Sequence, residues 1–137
     1  CSAVQQSFSL VNGNVATLEV CERAGLASIV RGPLAMGLLT GKMTRDTTFG
    51  ASDVRHGWDF DGEQGRRLDA LEKVRDVLTE DGRTLAQGAL GWLLARTPAF
   101  VPIPGIRTVA QARDNAGVLA AGPLTGDQMT RIADLLG

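Results

Sequence analysis

The sequence predicts an α/β fold built on parallel strands, and three observations carry that prediction. Short apolar runs of strand length, at residues 3–10, 26–30 and 100–103, alternate with segments whose apolar residues recur every three or four positions. Helix-opening residues, Asn14, Thr84, Thr108 and Thr125, head those segments, and Gly25 and Asp81-Gly82 close two of them. Two glycine-bearing loops follow consecutive strands, and the second opens directly into a helix. Strands joined by helical crossovers run parallel, and two such loops are how the last two strands of a (β/α)8 TIM barrel hold a phosphate. A full barrel takes about 250 residues. The 137 residues here fit roughly half of one: its C-terminal part, three parallel strands with crossover helices.

Composition narrows the function. With 44% apolar residues, 21% charged residues and a formal net charge of −1, the chain is globular in type and can bury a core. It has no basic excess for nucleic acid, and no apolar run approaches the roughly 20 residues that span a bilayer, so neither is expected as a partner. Cys1 and Cys21 form no metal or redox spacing and no signal peptide stands out, which points to the cytoplasm. The chain starts at Cys1 and runs straight into strand-like sequence, so residues 1–137 are read as one partial domain of something longer, with no second domain.

Each element has a local reason. Residues 3–10 alternate partially and lead into the turn Asn12-Gly13-Asn14. Asn14 caps a helix over 15–23, which Gly25 ends. Residues 26–30 (LASIV) are a continuous apolar run, as in a parallel strand buried on both faces. Residues 32–42 (GPLAMGLLTGK) form a loop suited to close packing; Met36 and Met43 stand where a Walker phosphate loop needs glycine and a hydroxyl, so that reading fails. Residues 47–62 have no period and are expected to be a lid or binding loop, with His56 as a solvated loop histidine and Trp58 and Phe60 hinting at an apolar wall. Residues 63–80 carry Leu68, Leu71, Val74, Val77 and Leu78 on one helical face. The next helix, opened by the Thr84/Gln87 capping box, is apolar almost all round and ends before Pro98. A final helix capped by Thr125 has Met129, Ile132, Leu135 and Leu136 as its stripe.

Residues 101–115 (VPIPGIRTVAQARDN) hold the most specific signal. A strand is closed by Pro104-Gly105, and Thr108 with Gln111 forms a capping box that opens a helix. The first N–H groups of a helix lack intrahelical partners and carry partial positive charge, so an anion binds there readily. Arg107 adds a full charge, and Gly105 leaves room for close approach.

On these residues the chain resembles the C-terminal part of an aldo-keto reductase. Residues 32–42 are similar to that family's strand-seven loop, usually Ser-Pro-Leu-x-x-Gly-x-Leu-Thr-Gly-Lys. Residues 103–115 are similar to its Ile-Pro-Gly-x-x-x-x-x-Gln-x-x-Glu-Asn element, and residues 4–10 to its Val-Gln-x-x-Tyr-x-Leu strand. The resemblance implies a barrel enzyme that reduces aldehydes and ketones with NADP(H). It implies that Gln5 bonds the nicotinamide carboxamide and that Arg31 sits where many members stack an aromatic ring on the nicotinamide. Gly32, Pro33, Leu34, Ala35, Met36 and Gly37 would wrap the pyrophosphate, with Lys42 nearby. Gly105, Arg107 and Gln111 would hold the adenosine 2′-phosphate, and Asp114 and Asn115 the adenine. Gly32 replaces a common serine, and Asp114 a common glutamate.

The family's proton donor is a tyrosine, assisted by a lysine, an aspartate and a histidine from the first half of the barrel. This chain has no tyrosine, and its one histidine lies in the long loop. The resemblance therefore implies no catalytic residue within residues 1–137. It implies a small carbonyl substrate for the full-length enzyme and an N-terminal half-barrel to complete this one. The alternative is a natural half-barrel that binds nucleotide as a regulatory module. In either case strand edges left open are expected to favour self-association.

Overall fold

A computed structural model describes residues 1–137. Four strands form one sheet: β1 (Ala3–Ser9), β2 (Asn12–Gly13), β3 (Ala27–Arg31) and β4 (Phe100–Ile103), in the order β2-β1-β3-β4. β1, β3 and β4 are parallel, as expected, with Gln6 opposite Val30 and Val30 opposite Pro102. β2 is an addition: two residues turn back antiparallel, pairing Phe8 with Gly13 and Ser9 with Asn12. Gly13 lies against the Phe8 ring, where any Cβ would collide, and the Ser9 hydroxyl bonds the Asn12 side chain. What reads as a plain turn is therefore a short hairpin.

Helices α1 (Val15–Ala24), α2 (Glu63–Leu78), α3 (Leu85–Arg96), α4 (Val109–Ala116), α5 (Val118–Ala121) and α6 (Gly126–Leu136) complete the chain, with short 3-10 turns at Ala35–Thr40 and Glu80–Gly82. α1 begins at Asn14, whose side chain accepts from the Thr17 N–H, and ends at left-handed Gly25. α3, α4 and α6 each open with a complete Thr/Gln capping box. α2 stops short of residue 80 because Thr79 leaves helical geometry, at φ −98° and ψ 4°, and Asp81 takes a left-handed φ of 59°.

All the helices that meet the sheet cover one face of it. Phe8, Val30 and Phe100 point from the strands to Leu18 of α1 and Leu93 of α3, with Trp92 stacked on Phe8 at 6.3 Å. The other face carries Gln5, Ser7, Ile29, Arg31, Val101 and Ile103. It is bare: Val101 is 46% and Ile103 47% exposed. The apolar run at 26–30 thus suggests burial on both faces, and the structure corrects this: within this chain β3 alternates, with Ser28 and Val30 buried and Ile29 only half-buried. A larger core lies beside the sheet, where Leu71, Val74 and Leu78 of α2 meet Ala89 and Leu90 of α3, Leu38, Leu39 and Ile132.

Candidate functional site

Register brings two of the predicted site loops to one end of the sheet. Arg31 lies opposite Ile103 at the ends of β3 and β4, so residues 32–37 and 104–107 leave the sheet side by side at the same end. This is the crevice in which barrel and open α/β proteins place their ligands.

The first loop is held in an uncommon backbone shape. Gly32 and Gly37 have φ of 64° and 95°, and between them Ala35 (49°) and Met36 (54°) are also left-handed. Two non-glycine residues in this region cost roughly 1–2 kcal/mol each, so the surroundings must enforce it. Buried Pro33 and Leu34 anchor one side. The Gly37 N–H donates to the Leu34 carbonyl at 3.0 Å, and the Thr40 hydroxyl to the Gly37 carbonyl at 2.7 Å. From outside, Arg55 donates to the Met36 carbonyl at 3.1 Å.

Arg55 belongs to the long loop, and it is a residue whose role sequence reading does not assign. Its guanidinium makes a two-point bond to Asp53, at 2.8 and 2.7 Å, and lies 4.1 Å over the Phe49 ring. That bond, with the Arg55 backbone N–H, holds the Asp53 carboxyl far below the usual carboxylate range, and the more distant charge of Arg107 acts in the same direction. The loop is packed: Phe49, Trp58 and Phe60 contact one another edge-on or tilted. Phe60 is buried in the main core and so forms no wall of an open pocket. His56 is exposed, its Nδ1 3.0 Å from the Phe49 carbonyl oxygen.

The second loop leads into α4. Nothing in the chain comes within 4 Å of a Cβ built on Gly105, so the space beside it is open. Arg107 is exposed, and its N–H and that of Thr108 both donate to Gln111 Oε1, at 2.7 and 3.3 Å. The ion pairs of the chain use Arg45, Arg55, Arg67, Arg75, Arg83 and Arg131. Arg31, Lys42 and Arg107 are exposed and stand outside them.

Behind this loop lies a groove of about 280 Å³ between α3, the Pro102–Pro104 stretch, α4 and α5. Leu90, Leu94, Ile106 and Leu119 are among its apolar walls, and Asn115 is the one polar residue lining it. Ligand pockets run to roughly 300–1,000 Å³, so this groove suits a flat ring rather than a whole dinucleotide. Asp114 faces elsewhere: its carboxylate accepts from the Thr84 hydroxyl at 2.9 Å and from Gln87 at 3.2 Å, tying α4 to the head of α3. Gln5 is exposed on the bare sheet face, away from this groove's lining.

A sequence model of the Aldo/keto reductase family matches residues 1–136. The chain belongs to the aldo/keto reductase family. Among its relatives in the family are an uncharacterized oxidoreductase of Schizosaccharomyces pombe, C215.11c, 36% identical over 88% of this chain and 30% of its own length, and the same organism's aldo-keto reductase yakc [NADP(+)], 26% identical over 86% of this chain and 37% of its own. The glycerol dehydrogenase AKR11B4 of Gluconobacter oxydans superposes with a TM-score of 0.85 at 25% identity, covering 98% of this chain and 42% of that one. The chain thus spans about a third of the length of the curated relatives it matches. Its three parallel strands and their helices match part of the family's (β/α)8 barrel. No helix is long and apolar enough to cross a membrane.

Proposed function

We propose that this chain is the NADP(H)-binding portion of an oxidoreductase that reduces aldehydes and ketones to alcohols. The observation that carries the reading is the pairing of an apolar groove, with Asn115 as its one polar lining residue, and a free Arg107 at the capped start of α4, at the same strand ends as the Gly32–Gly37 turn. A heterocycle with donors and acceptors on its edge fits such a groove. A phosphate fits the arginine and the helix start.

When bound, the cofactor supplies a hydride to a carbonyl carbon. The chain's own contribution is to bind and orient. Asn115 offers one donor and one acceptor to the ring edge. Arg107 and the α4 N-terminus hold the 2′-phosphate, with the Gln111 amide nitrogen beside them. The Gly32–Gly37 backbone cradles the pyrophosphate, helped by Lys42, and Gln5 and Arg31 meet the nicotinamide on the bare sheet face. The Thr84 and Gln87 bonds to Asp114 give that residue a positioning role for α4. No tyrosine is present to give the carbonyl its proton, and on this reading the 137 residues bind cofactor without turning it over.

Calorimetric titration tests the proposal. NADPH is expected to bind at least tenfold more tightly than NADH, with no carbonyl-dependent oxidation above background. Equal affinity for the two would remove the role of Arg107, and failure to bind either would overturn the reading.

A further inference from the structure

Packing dictates the glycine of β2. A Cβ on Gly13 would lie 2.5 Å from atoms of the Phe8 ring, so the ring leaves room for hydrogen only. Phe8 belongs in turn to the core behind the sheet, stacked on Trp92 and 4.9 Å from Phe100. The residue this contact demands is also the one least able to shield its own backbone nitrogen, and it follows an asparagine.

Asn12 and Gly13 are both exposed. Asn12 Oδ1 accepts from the hydroxyl of Ser9, a residue only 2% exposed, and Ser9 Oγ accepts from the Val11 N–H at 3.3 Å. In such a chain of bonds each one polarises the next. The hydroxyl is thus aimed at the oxygen that gains negative charge when a nucleophile adds to the Asn12 amide carbon, and a donor so placed stabilises the tetrahedral intermediate. The Gly13 nitrogen, joined to Asn12 by the peptide bond, is the nucleophile the chain holds near that carbon.

No other position combines these features. The chain has three asparagines. Asn14 precedes Val15, whose branched side chain crowds the approach, and its Oδ1 is taken by the Thr17 N–H at 3.2 Å. Asn115 is buried within α4. Asp61-Gly62 and Asp81-Gly82 share the glycine, but a carboxylate must first be protonated before it can lose water, and Asp81 is paired with Arg83 at 3.0 Å.

We propose that Asn12 is a self-modification site, converted through a cyclic imide to aspartate and isoaspartate with the Ser9 hydroxyl as activating donor. The Gly13 nitrogen attacks Asn12 Cγ and a C–N bond forms. The side-chain nitrogen leaves as ammonia, taking the proton that Gly13 gives up. Water then opens the imide at either carbonyl: one opening leaves aspartate in normal linkage, the other isoaspartate, with the backbone running through the side-chain carbon. The net change is amide plus water to carboxylate plus ammonium, without oxidation or reduction. Isoaspartate lengthens the backbone by one atom between residues 12 and 13, which lifts Gly13 from the Phe8 ring and loosens the Phe8–Trp92 stack. None of this involves nucleotide, so the proposal is independent of the cofactor reading.

The test holds the full chain in warm, mildly alkaline buffer and follows residue 12 by peptide mass spectrometry, with fragmentation to separate aspartate from isoaspartate. Asn12 is expected to convert at least tenfold faster than Asn14 or Asn115. Ser9→Ala is expected to slow the folded chain at least fivefold and to leave the rate in concentrated urea unchanged, because only the fold brings the hydroxyl to Oδ1. An Asn12 that persists as long as Asn14, or a folded Ser9→Ala chain that converts at the unaltered rate, would overturn the proposal. If Ser9→Ala does not fold, the unaltered chain decides: a rate slower when folded than in urea would overturn it equally. Tryptophan emission reads the consequence. It is expected to shift in the isoaspartate form and to stay constant in Asn12→Asp, which adds the same charge without the extra backbone atom; equal spectra for the two would refute the effect on Phe8.

Discussion

The Thr84 hydroxyl donates to the Asp114 carboxylate at 2.9 Å, so the residue that caps α3 also holds α4. Gln87, the third residue of the same capping box, adds bonds to the Asp114 carboxylate and backbone carbonyl. This joint fixes the tilt of the helix that carries Arg107 at its head and Asn115 in its groove.

Replacing Asp114 tests the joint. Asp114→Ala removes the acceptor of the Thr84 hydroxyl and one of the two acceptors of the Gln87 amide, whose bond to the backbone carbonyl remains, and is expected to lower stability by about 0.5–1.5 kcal/mol. Urea unfolding reads the loss. A stability unchanged within 0.3 kcal/mol, roughly the scatter of surface substitutions, would contradict the account.

Arg107→Ala separates the phosphate from the rest of the cofactor. NADPH affinity is expected to fall at least tenfold, about 1.4 kcal/mol, while NADH affinity changes less than threefold. A parallel loss for both nucleotides would place Arg107 somewhere other than beside the 2′-phosphate.

Gly88 of α3 packs directly against Leu78 at the end of α2. A Cβ there would run into the Leu78 carbonyl oxygen, so Gly88→Ala is expected to destabilise by about 1–3 kcal/mol despite the better helix propensity of alanine. A thermal melt showing no loss would mean that the two helices slide apart freely.

Much of this architecture is legible in the residues because it is local. The capping boxes at Thr84 and Thr108, the stop at Gly25 and the strand at Phe100–Ile103 follow from side-chain chemistry within a few positions. What could not be read depends on distant partners. That Asp114 ties α4 to Thr84, thirty residues earlier, is written in no local pattern. Arg55 sits in a stretch without period, and only the fold brings the Met36 carbonyl to it. Residues 26–30 look buried on both faces because both are apolar, and sequence does not say how many of those faces this chain covers by itself.

Acid stability should depend on Glu80. Two bonds from Arg131, at 2.7 and 2.6 Å, and one from Gln128 at 2.9 Å hold its pKa down to about 2 from an ordinary 4.5. In the folded state it stays ionised where the unfolded chain takes up a proton. Its stabilising effect is therefore complete above pH 4.5 and is lost as pH falls toward 2. Glu80→Gln is expected to flatten that part of the stability curve and leave its slope above pH 6 unchanged, as denaturant midpoints across the range would reveal.

The chain has two tryptophans and no tyrosine, and they lie in different layers. Trp92 is stacked on Phe8 behind the sheet, while Trp58 meets Phe49 and Phe60 within the long loop. Ultraviolet emission from this molecule is therefore a two-colour gauge supplied by nature: silencing either indole by phenylalanine leaves a lone lamp that reports strand-side packing or loop closure, with no label attached.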